Sequence, residues 1–318
     1  MLAPRVVVVG AGVIGLTAAA TLLEAGASVL VVDDNRAGAR TLDLAGAYWR
    51  PHPIPPLPAS VAWSHVTRSK LLQLSADPAT GILPLPLRIL QRQGHPQPDW
   101  LSHLPPEVLL RVLMAEELPR GESPYVGGWM TETVTIEMHT YLDWLIERVK
   151  RLGGAFSDAS VRSLDEWEAP VVNATGLRGR DLGDQELKPV RGQVILCQAM
   201  PELTQVSYDH TAAAYVVPRK DSLILGGTFQ ENREDLEPNR IDRNSILVRC
   251  LAMEPALRSV QILRDGVGLR PVRPTVRTEI TDSPWGPRLH LNGFGGGGVS
   301  MSWGVTAEWV PKFLEAIS

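Results

Sequence analysis

Apolar positions along the chain follow two spacings. Arg5 is followed by four valines, the unbroken β-branched run of a strand covered on both faces. Residues 14–24 are rich in Ala and Leu, read as a helix, and stop at Gly26. Residues 28–32 repeat the first pattern. Strand, helix and strand in that order form a βαβ unit, and its right-handed crossover makes the strands parallel. The apolar stretch from Val6 to Leu23 approaches membrane length, but three glycines interrupt it and a second strand ending in Asp33-Asp34 follows. A buried β-α unit explains all of these features, whereas a signal peptide explains only the hydrophobicity.

The pattern then changes. Residues 51–58 carry five prolines and are read as the exit from the first unit, neither central strand nor helix. Residues 61–129 mix short helical patterns with connections containing Pro84, Pro86, Pro105 and Pro106, and residues 107–117 read as a helix. Tyr141, Leu142, Leu145, Ile146, Val149 and Leu152 form a helical stripe stopped by Gly153-Gly154. A short buried strand is expected at 170–173, antiparallel strands at 194–197, 215–217 and 223–228, and a helix at 241–251. A last strand at 289–292 leads through glycines to a final helix, which Pro311 should kink or break. The sum is a parallel sheet assembled from distant pieces, with an antiparallel sheet inserted.

Composition narrows the function. The chain has 318 residues, enough for two cores, 44% hydrophobic residues and a net charge of −4, which fit a globular protein with no nucleic-acid partner. Cys197 and Cys250 are far apart and read as buried thiols of a reducing, cytoplasmic compartment. The seven histidines lack ligand spacing, so no metal is expected.

The chemistry starts at Gly10-Ala11-Gly12-Val13-Ile14-Gly15. Gly10 permits a tight turn, Gly12 lets the backbone approach a pyrophosphate, and Gly15 allows close helix–strand packing. The helix N-terminus offers free N–H groups and positive dipole. Asp33, or next Asp34, ends the second strand where an acid takes ribose hydroxyls. Two features favour FAD over NAD. Val171-Val172-Asn173-Ala174-Thr175-Gly176 is a buried strand ending in small residues, and the glycines 295–298 open the last helix toward where negative charge would build on a flavin.

Further segments carry a resemblance: Ala45-Gly46-Ala47-Tyr48-Trp49, Trp144-Leu145-Ile146-Glu147-Arg148, Arg191-Gly192-Gln193, Tyr215-Val216-Val217-Pro218, Gly226-Gly227-Thr228-Phe229-Gln230, Gly268-Leu269-Arg270-Pro271-Val272-Arg273-Pro274 and Ser302-Trp303-Gly304. With the glycine motifs, they make the chain similar to the D-amino acid oxidase family over most of its length, residues 61–121 matching poorly. The resemblance implies an α/β fold: a discontinuous Rossmann-like FAD-binding domain (1–50, 131–192 and 255–318) with a parallel sheet, and a substrate domain (51–130 and 193–254) with a mixed or antiparallel sheet. It implies an FAD-dependent oxidase of D-amino acids, with hydride passing from the substrate Cα to flavin N5 and O2 reoxidising the flavin to give H2O2. The imine product then yields a 2-oxo acid and ammonia.

Carried over by position, Arg270 would pair with the substrate carboxylate, Tyr215 would hydrogen-bond it, and the Gly296 carbonyl would accept from the amine. Cofactor contacts would come from Gly10, Gly12, Val13, Ile14, Gly15, Asp33, Asp34, Arg40, Thr41, Ala45, Gly46, Val161, Thr175, Gly176, Gly295, Gly296, Gly298, Val299 and Ser300. Tyr48, Arg50 and Phe229 would face the substrate. Pro271 biases Arg270 toward an extended backbone. Neither cysteine is expected beside the flavin, so FAD is expected to be non-covalent.

The chain also departs from the family. Mammalian members carry a second tyrosine on a mobile lid where Thr211 stands here; Tyr208 or His210 could replace it, or the lid is absent. D-aspartate oxidases place an arginine where Phe229 stands, which favours neutral side chains here. Arg50 either meets an acidic side chain or is solvated. The alternatives are a D-aspartate oxidase, a glycine oxidase or a dehydrogenase of the same fold, and, in another class, a non-catalytic flavin-binding protein. The expected partners are a D-amino acid and O2, with no membrane, and by analogy a homodimer.

Overall fold

In the computed structural model, which describes residues 5–33, 44–120 and 123–318, the valine run forms β1 (Arg5–Val9). Helix α1 (Val13–Glu24) and strand β2 (Ser28–Asp33) complete the first unit, and β2 runs parallel to β1. The run is apolar throughout because both faces of β1 are covered. Val6 and Val8 pack with the residues of α1 and the other helices, whereas Val7 and Val9 join Val161, Leu164 and Val171 on the opposite side.

The chain continues through α2 (Leu57–Leu74), β3 (Ile82–Arg92), β4 (Arg111–Val112), β5 (Tyr125–Ile136), α3 (Met138–Arg151), β6 (Ala155–Asp158) and β7 (Val171–Asn173). Next come β8 (Lys188–Gln198), β9 (Val206–Asp209), β10 (Ala214–Pro218), β11 (Ser222–Gly226), β12 (Gln230–Glu231) and α4 (Arg240–Met253). The last elements are β13 (Ile262–Thr281), β14 (Arg288–Phe294) and α5 (Gly298–Ala316). The described strands join one sheet in the order β4-β5-β3-β9-β10-β11-β8-β13-β14-β7-β1-β2-β6, and β12 pairs with β8.

Strands β14, β7, β1, β2 and β6 pair parallel with one another, and α1, α3 and α5 share the core on one side of them. In the other portion, β9, β10, β11, β8 and β13 pair antiparallel. One face of that portion packs on α4 through Val216, Leu223, Leu225, Ile246 and Cys250. The other face carries Tyr208, Val217, Ile224 and the partly buried Tyr215. Strand β13 links the two portions. It pairs with β8 as far as Val272, then with β14, and its register shifts between Val272 and Arg277.

The α/β class, the βαβ unit, the α3 stripe, the α4 helix and the antiparallel strands agree with the sequence reading. Two expectations fail, and of the two outcomes expected at Pro311 the break does not occur. Residues 107–117 are not helical: β4 pairs with β5 through Arg111–Met130 and Val112–Trp129, and a short 3-10 turn follows at Ala115–Glu117. The apolar residues here do not converge on one face, since Val108 and Leu113 are buried while Leu109, Val112 and Met114 are exposed. Pro84 and Pro86 lie inside strand β3 rather than in a connection. They are tolerated because β9 pairs with β3 only from Leu87 to Leu90, so the prolines sit on a locally open edge. Pro311 does not break α5. Pro311 and Ala307, whose carbonyl loses its donor, are both exposed, so water can take that carbonyl.

No helix among the described residues is long and apolar enough to cross a membrane. Cys197 and Cys250 are free and buried, and burial pushes their thiols up to about 11 and about 12.

Two tests probe this architecture. Gly304 lets α5 meet α2, since a Cβ there would lie 2.2 Å from the Trp63 carbonyl oxygen. Because backbone cannot yield as a side chain can, Gly304→Ala is expected to destabilise the protein by about 1–3 kcal/mol, read from urea unfolding midpoints. His290 on β14 contacts Asn173 and Thr281 through its ring nitrogens, and burial, then the nearby Arg277, lowers its pKa to about 4. Between pH 6.5 and 4 the unfolded chain therefore binds a proton that the native state refuses, and stability should fall as pH falls. His290→Gln should remove a slope of up to about 1.4 kcal/mol per pH unit in that window.

Candidate active site

A cavity of about 620 Å³ takes its walls from both portions of the sheet. Gly12, Val13 and Ile14 at the start of α1 line it, as do Gly295, Gly296, Gly298, Val299 and Ser300 at the start of α5. Ala45, Gly46, Tyr48 and Arg50, and also Gly176, Tyr215, Phe229 and Arg270, complete the sequence-predicted residues that it collects. Asp33, Val161 and Thr175 instead line a small separate void of about 30 Å³ together with Gly10. Asp34, Arg40 and Thr41 lie outside the described residues.

The glycine turn is built as its residue types require. Gly10 has φ +107°, and a Cβ on it would lie 2.5 Å from the Ala174 carbonyl oxygen. Gly15 presses on the turn itself, with a Cβ site 1.9 Å from the Gly10 carbonyl oxygen. The Asp33 carboxylate accepts from the Ala11 N–H at 2.8 Å and so ties the end of β2 to the turn. Neither α1 nor α5 has a side-chain cap at its N-terminus, and both of those ends face the cavity. Asn292 also lines the cavity; it is 1% exposed, and its Nδ2 has no partner among the described residues. Uncapped helix ends and a free amide donor are what a phosphate-bearing, carbonyl-rich group such as FAD needs from a protein wall.

Arg270 sits on β13 just before that strand leaves β8. Its Nη1 donates to the Thr228 carbonyl at 3.1 Å, its guanidinium lies 5.7 Å from the Phe229 ring centroid, and its charge acts on the neighbouring Tyr215 phenol. No carboxylate among the described residues lies within ion-pair distance of it. Gly192, on β8 two residues from Val190, the register partner of Arg270, makes the space: a Cβ there would fall 2.3 Å from Arg270 Nη1. Tyr215 occupies a slot of the same kind, with Cβ sites of Gly226 and Gly46 at 2.0 and 2.8 Å from its ring. Burial raises the Tyr215 phenol above its ordinary range, so it stays a neutral donor. A fixed guanidinium beside a neutral phenol suits a carboxylate, which accepts from both.

Arg50 is not a solvated surface residue. It lines the cavity with its guanidinium 5.7 and 5.5 Å from the Trp100 and Tyr208 ring centroids, and its charge acts on the neighbouring Tyr48 phenol. His52 lies beside it, and burial, then the Arg50 charge, hold that imidazole well below its ordinary range.

Of the two candidates for the missing second tyrosine, Tyr208 lines the cavity and stands directly across from Tyr215 in the β9–β10 register. The turn that follows is tied down. Asp209 accepts from Thr211 N, Thr211 Oγ1 and Ala212 N at 3.0, 2.7 and 3.1 Å. It also accepts from Arg92 Nε at 2.7 Å and Tyr125 Oη at 2.9 Å.

Sequence reasoning missed His52, Asn292 and the clearance at Gly192. Only the last left a signal, a glycine inside an apolar strand. Neither cysteine lines the cavity; Cys250 lies behind Tyr215, with its thiol 3.5 Å from the Tyr215 carbonyl.

Comparison with known proteins agrees with this geometry. Residues 5–310 match the family described as DAO, FAD dependent oxidoreductase. A D-amino-acid oxidase of Rubrobacter xylanophilus is 38% identical over 313 residues, 96% of this chain and 94% of that protein. A human D-aspartate oxidase is 34% identical over 98% of this chain and 95% of that protein. The fold is similar to that of a glycine oxidase from Bacillus cereus, with a TM-score of 0.81, 16% identity, and coverage of 98% of this chain and 95% of the other.

The clearance at Gly192 yields a direct test. Gly192→Ala should displace the Arg270 guanidinium and weaken binding of a simple carboxylate such as pentanoate by about tenfold, read by calorimetry. An unchanged dissociation constant would mean that Arg270 does not form the anion site.

Proposed function

Because the chain belongs to the DAO family of FAD dependent oxidoreductases, we propose that it oxidises D-amino acids with O2 as the electron acceptor. The observation that carries this reading is Arg270, a guanidinium with no carboxylate partner among the described residues, beside the neutral Tyr215 in the cavity onto which two uncapped helix ends open. Residues 12–14 and 295–300 would hold the cofactor, with Asn292 donating to it. FAD would be non-covalent, since no cysteine lines the cavity. When bound, the flavin supplies the acceptor for the α-hydrogen and its electron pair, and returns the electrons to O2 as H2O2.

The chain's own residues then position. Arg270 and Tyr215 grip the α-carboxylate, and the Gly296 carbonyl accepts from the amine. With those points held, the third substituent of the substrate Cα is directed by the remaining wall. No protein base needs to reach Cα, and among the described residues no Asp or Glu lines the cavity to act as one. The gain comes from orientation, with the reacting atoms held at about 3–3.5 Å. The imine released yields a 2-oxo acid and ammonia on hydrolysis. Neutral side chains fit Phe229, which stands where similar D-aspartate oxidases place an arginine. We assign the parallel portion of the sheet to the cofactor and the antiparallel portion to the substrate. A cytoplasmic location and a homodimer accompany the reading by analogy with similar oxidases.

Purified protein given paired D- and L-amino acids, with glycine and D-aspartate included, should release peroxide from D-enantiomers only. Arg270→Ala should cost about 2–5 kcal/mol of substrate binding while the flavin absorbance is retained. Turnover that survives this substitution would refute the carboxylate role.

A further inference from the structure

The cavity contains a second cation that the proposed reaction does not use. Among the described residues three arginines line it, Arg50, Arg270 and Arg273, and no Asp or Glu does. Arg273 is neutralised by Asp184 at 3.1 Å and by Glu186. Arg50, like Arg270, has no carboxylate partner among the described residues. Its neighbours are the Trp100 and Tyr208 faces, the Tyr48 hydroxyl and the Pro51 carbonyl at 3.3 Å. Aromatic faces and neutral acceptors hold a guanidinium in place without cancelling its charge.

The two free guanidinium groups are connected by a wall of tyrosines. Tyr215 lies within the electrostatic reach of Arg270 and stands across from Tyr208. Tyr48 lies 6.0 and 6.1 Å from those two rings, and Arg50 rests on Tyr208. Phe229 packs against Arg270, so its apolar ring borders the α-carboxylate end of the cavity. A substrate held by its α-carboxylate at Arg270 can therefore extend along the tyrosines toward Arg50.

We infer that Arg50 is a specificity-determining residue that binds a carboxylate on the substrate's side chain, adding acidic D-amino acids to the neutral ones. The inference rests on the oxidase reading for its substrate class. Its anion chemistry stands independently, because a cation with no carboxylate partner among the described residues, in a cavity that none of their acids lines, favours a dianion over a monoanion of the same length.

The test uses the FAD-loaded protein with two non-reactive probes, glutarate and pentanoate, and with D-glutamate and D-alanine as substrates. Glutarate is expected to bind about tenfold or more tightly than pentanoate by calorimetry, and Arg50→Gln should abolish that preference. The ratio of kcat/KM for D-glutamate to that for D-alanine should fall about tenfold in Arg50→Gln, with Arg50→Lys keeping part of it. A wild-type protein without the glutarate preference, or a preference and a substrate ratio unchanged in Arg50→Gln, overturns the inference. If no D-amino acid is oxidised while the glutarate preference still depends on Arg50, the oxidase reading fails and Arg50 remains the second anion anchor.

Discussion

A cation left without a carboxylate partner must be held by weaker contacts, and the site depends on Arg270 being held in that way. A salt bridge would anchor the guanidinium more firmly, but it would spend the charge that a ligand needs. The Thr228 carbonyl, the Tyr215 phenol and the Phe229 ring fix its direction and leave its charge uncompensated. Arg273, in the same arginine–proline run, shows the alternative, bound to Asp184 and Glu186. One arginine of the motif thus serves the fold, and the other is kept for chemistry. Backbone makes the difference possible, since β13 carries Arg270 past Gly192 before turning to pair with β14.

The rest of the cavity reinforces that choice of sign. Two helix N-termini open on it without caps, and no acid among the described residues lines it. The polar groups among its guanidinium groups are kept neutral, with burial raising the pKa of Tyr215 and Tyr48 and lowering that of His52. A neutral phenol donates to an anion, whereas a phenolate would repel it. A neutral His52 adds no charge beside Arg50. The field therefore comes from groups whose charge is constant across the physiological range, and low-dielectric walls strengthen it.

Much of this was readable from residue types, and the exceptions have physical causes. The βαβ unit and its glycines were legible because each glycine answers a local demand, a positive φ at Gly10 and a close approach at Gly15. The α3 helix was legible because its apolar stripe faces one core. Residues 107–117 were misread because their apolar side chains divide between core and solvent around an edge strand, which composition alone does not reveal. Pro84 and Pro86 looked like loop residues because a sequence does not show which edge of a strand is unpaired. Arg50 was ambiguous for a related reason. Its exposure depends on Trp100 and Tyr208, both distant in sequence. The role of Gly192 becomes visible only when β8 and β13 are placed side by side.

The position of Tyr208 bears on how the cavity is closed. A lid must give up its contacts each time it opens, so it is made from a loop with few of them. The turn at residues 210–213 is the opposite case, since the Asp209 carboxylate gathers two backbone N–H donors, a hydroxyl, a guanidinium and a phenol. Against the desolvation that would raise it, bonds from Thr211, Arg92 and Tyr125 hold this carboxyl below its ordinary range. Opening the turn would strand a buried charge, at a cost of several kcal/mol. The aromatic beside Tyr215 is therefore supplied by a strand whose C-terminal end is tied down by Asp209. Tyr208 and Tyr215, which lie between Arg270 and Arg50, are then part of the sheet itself.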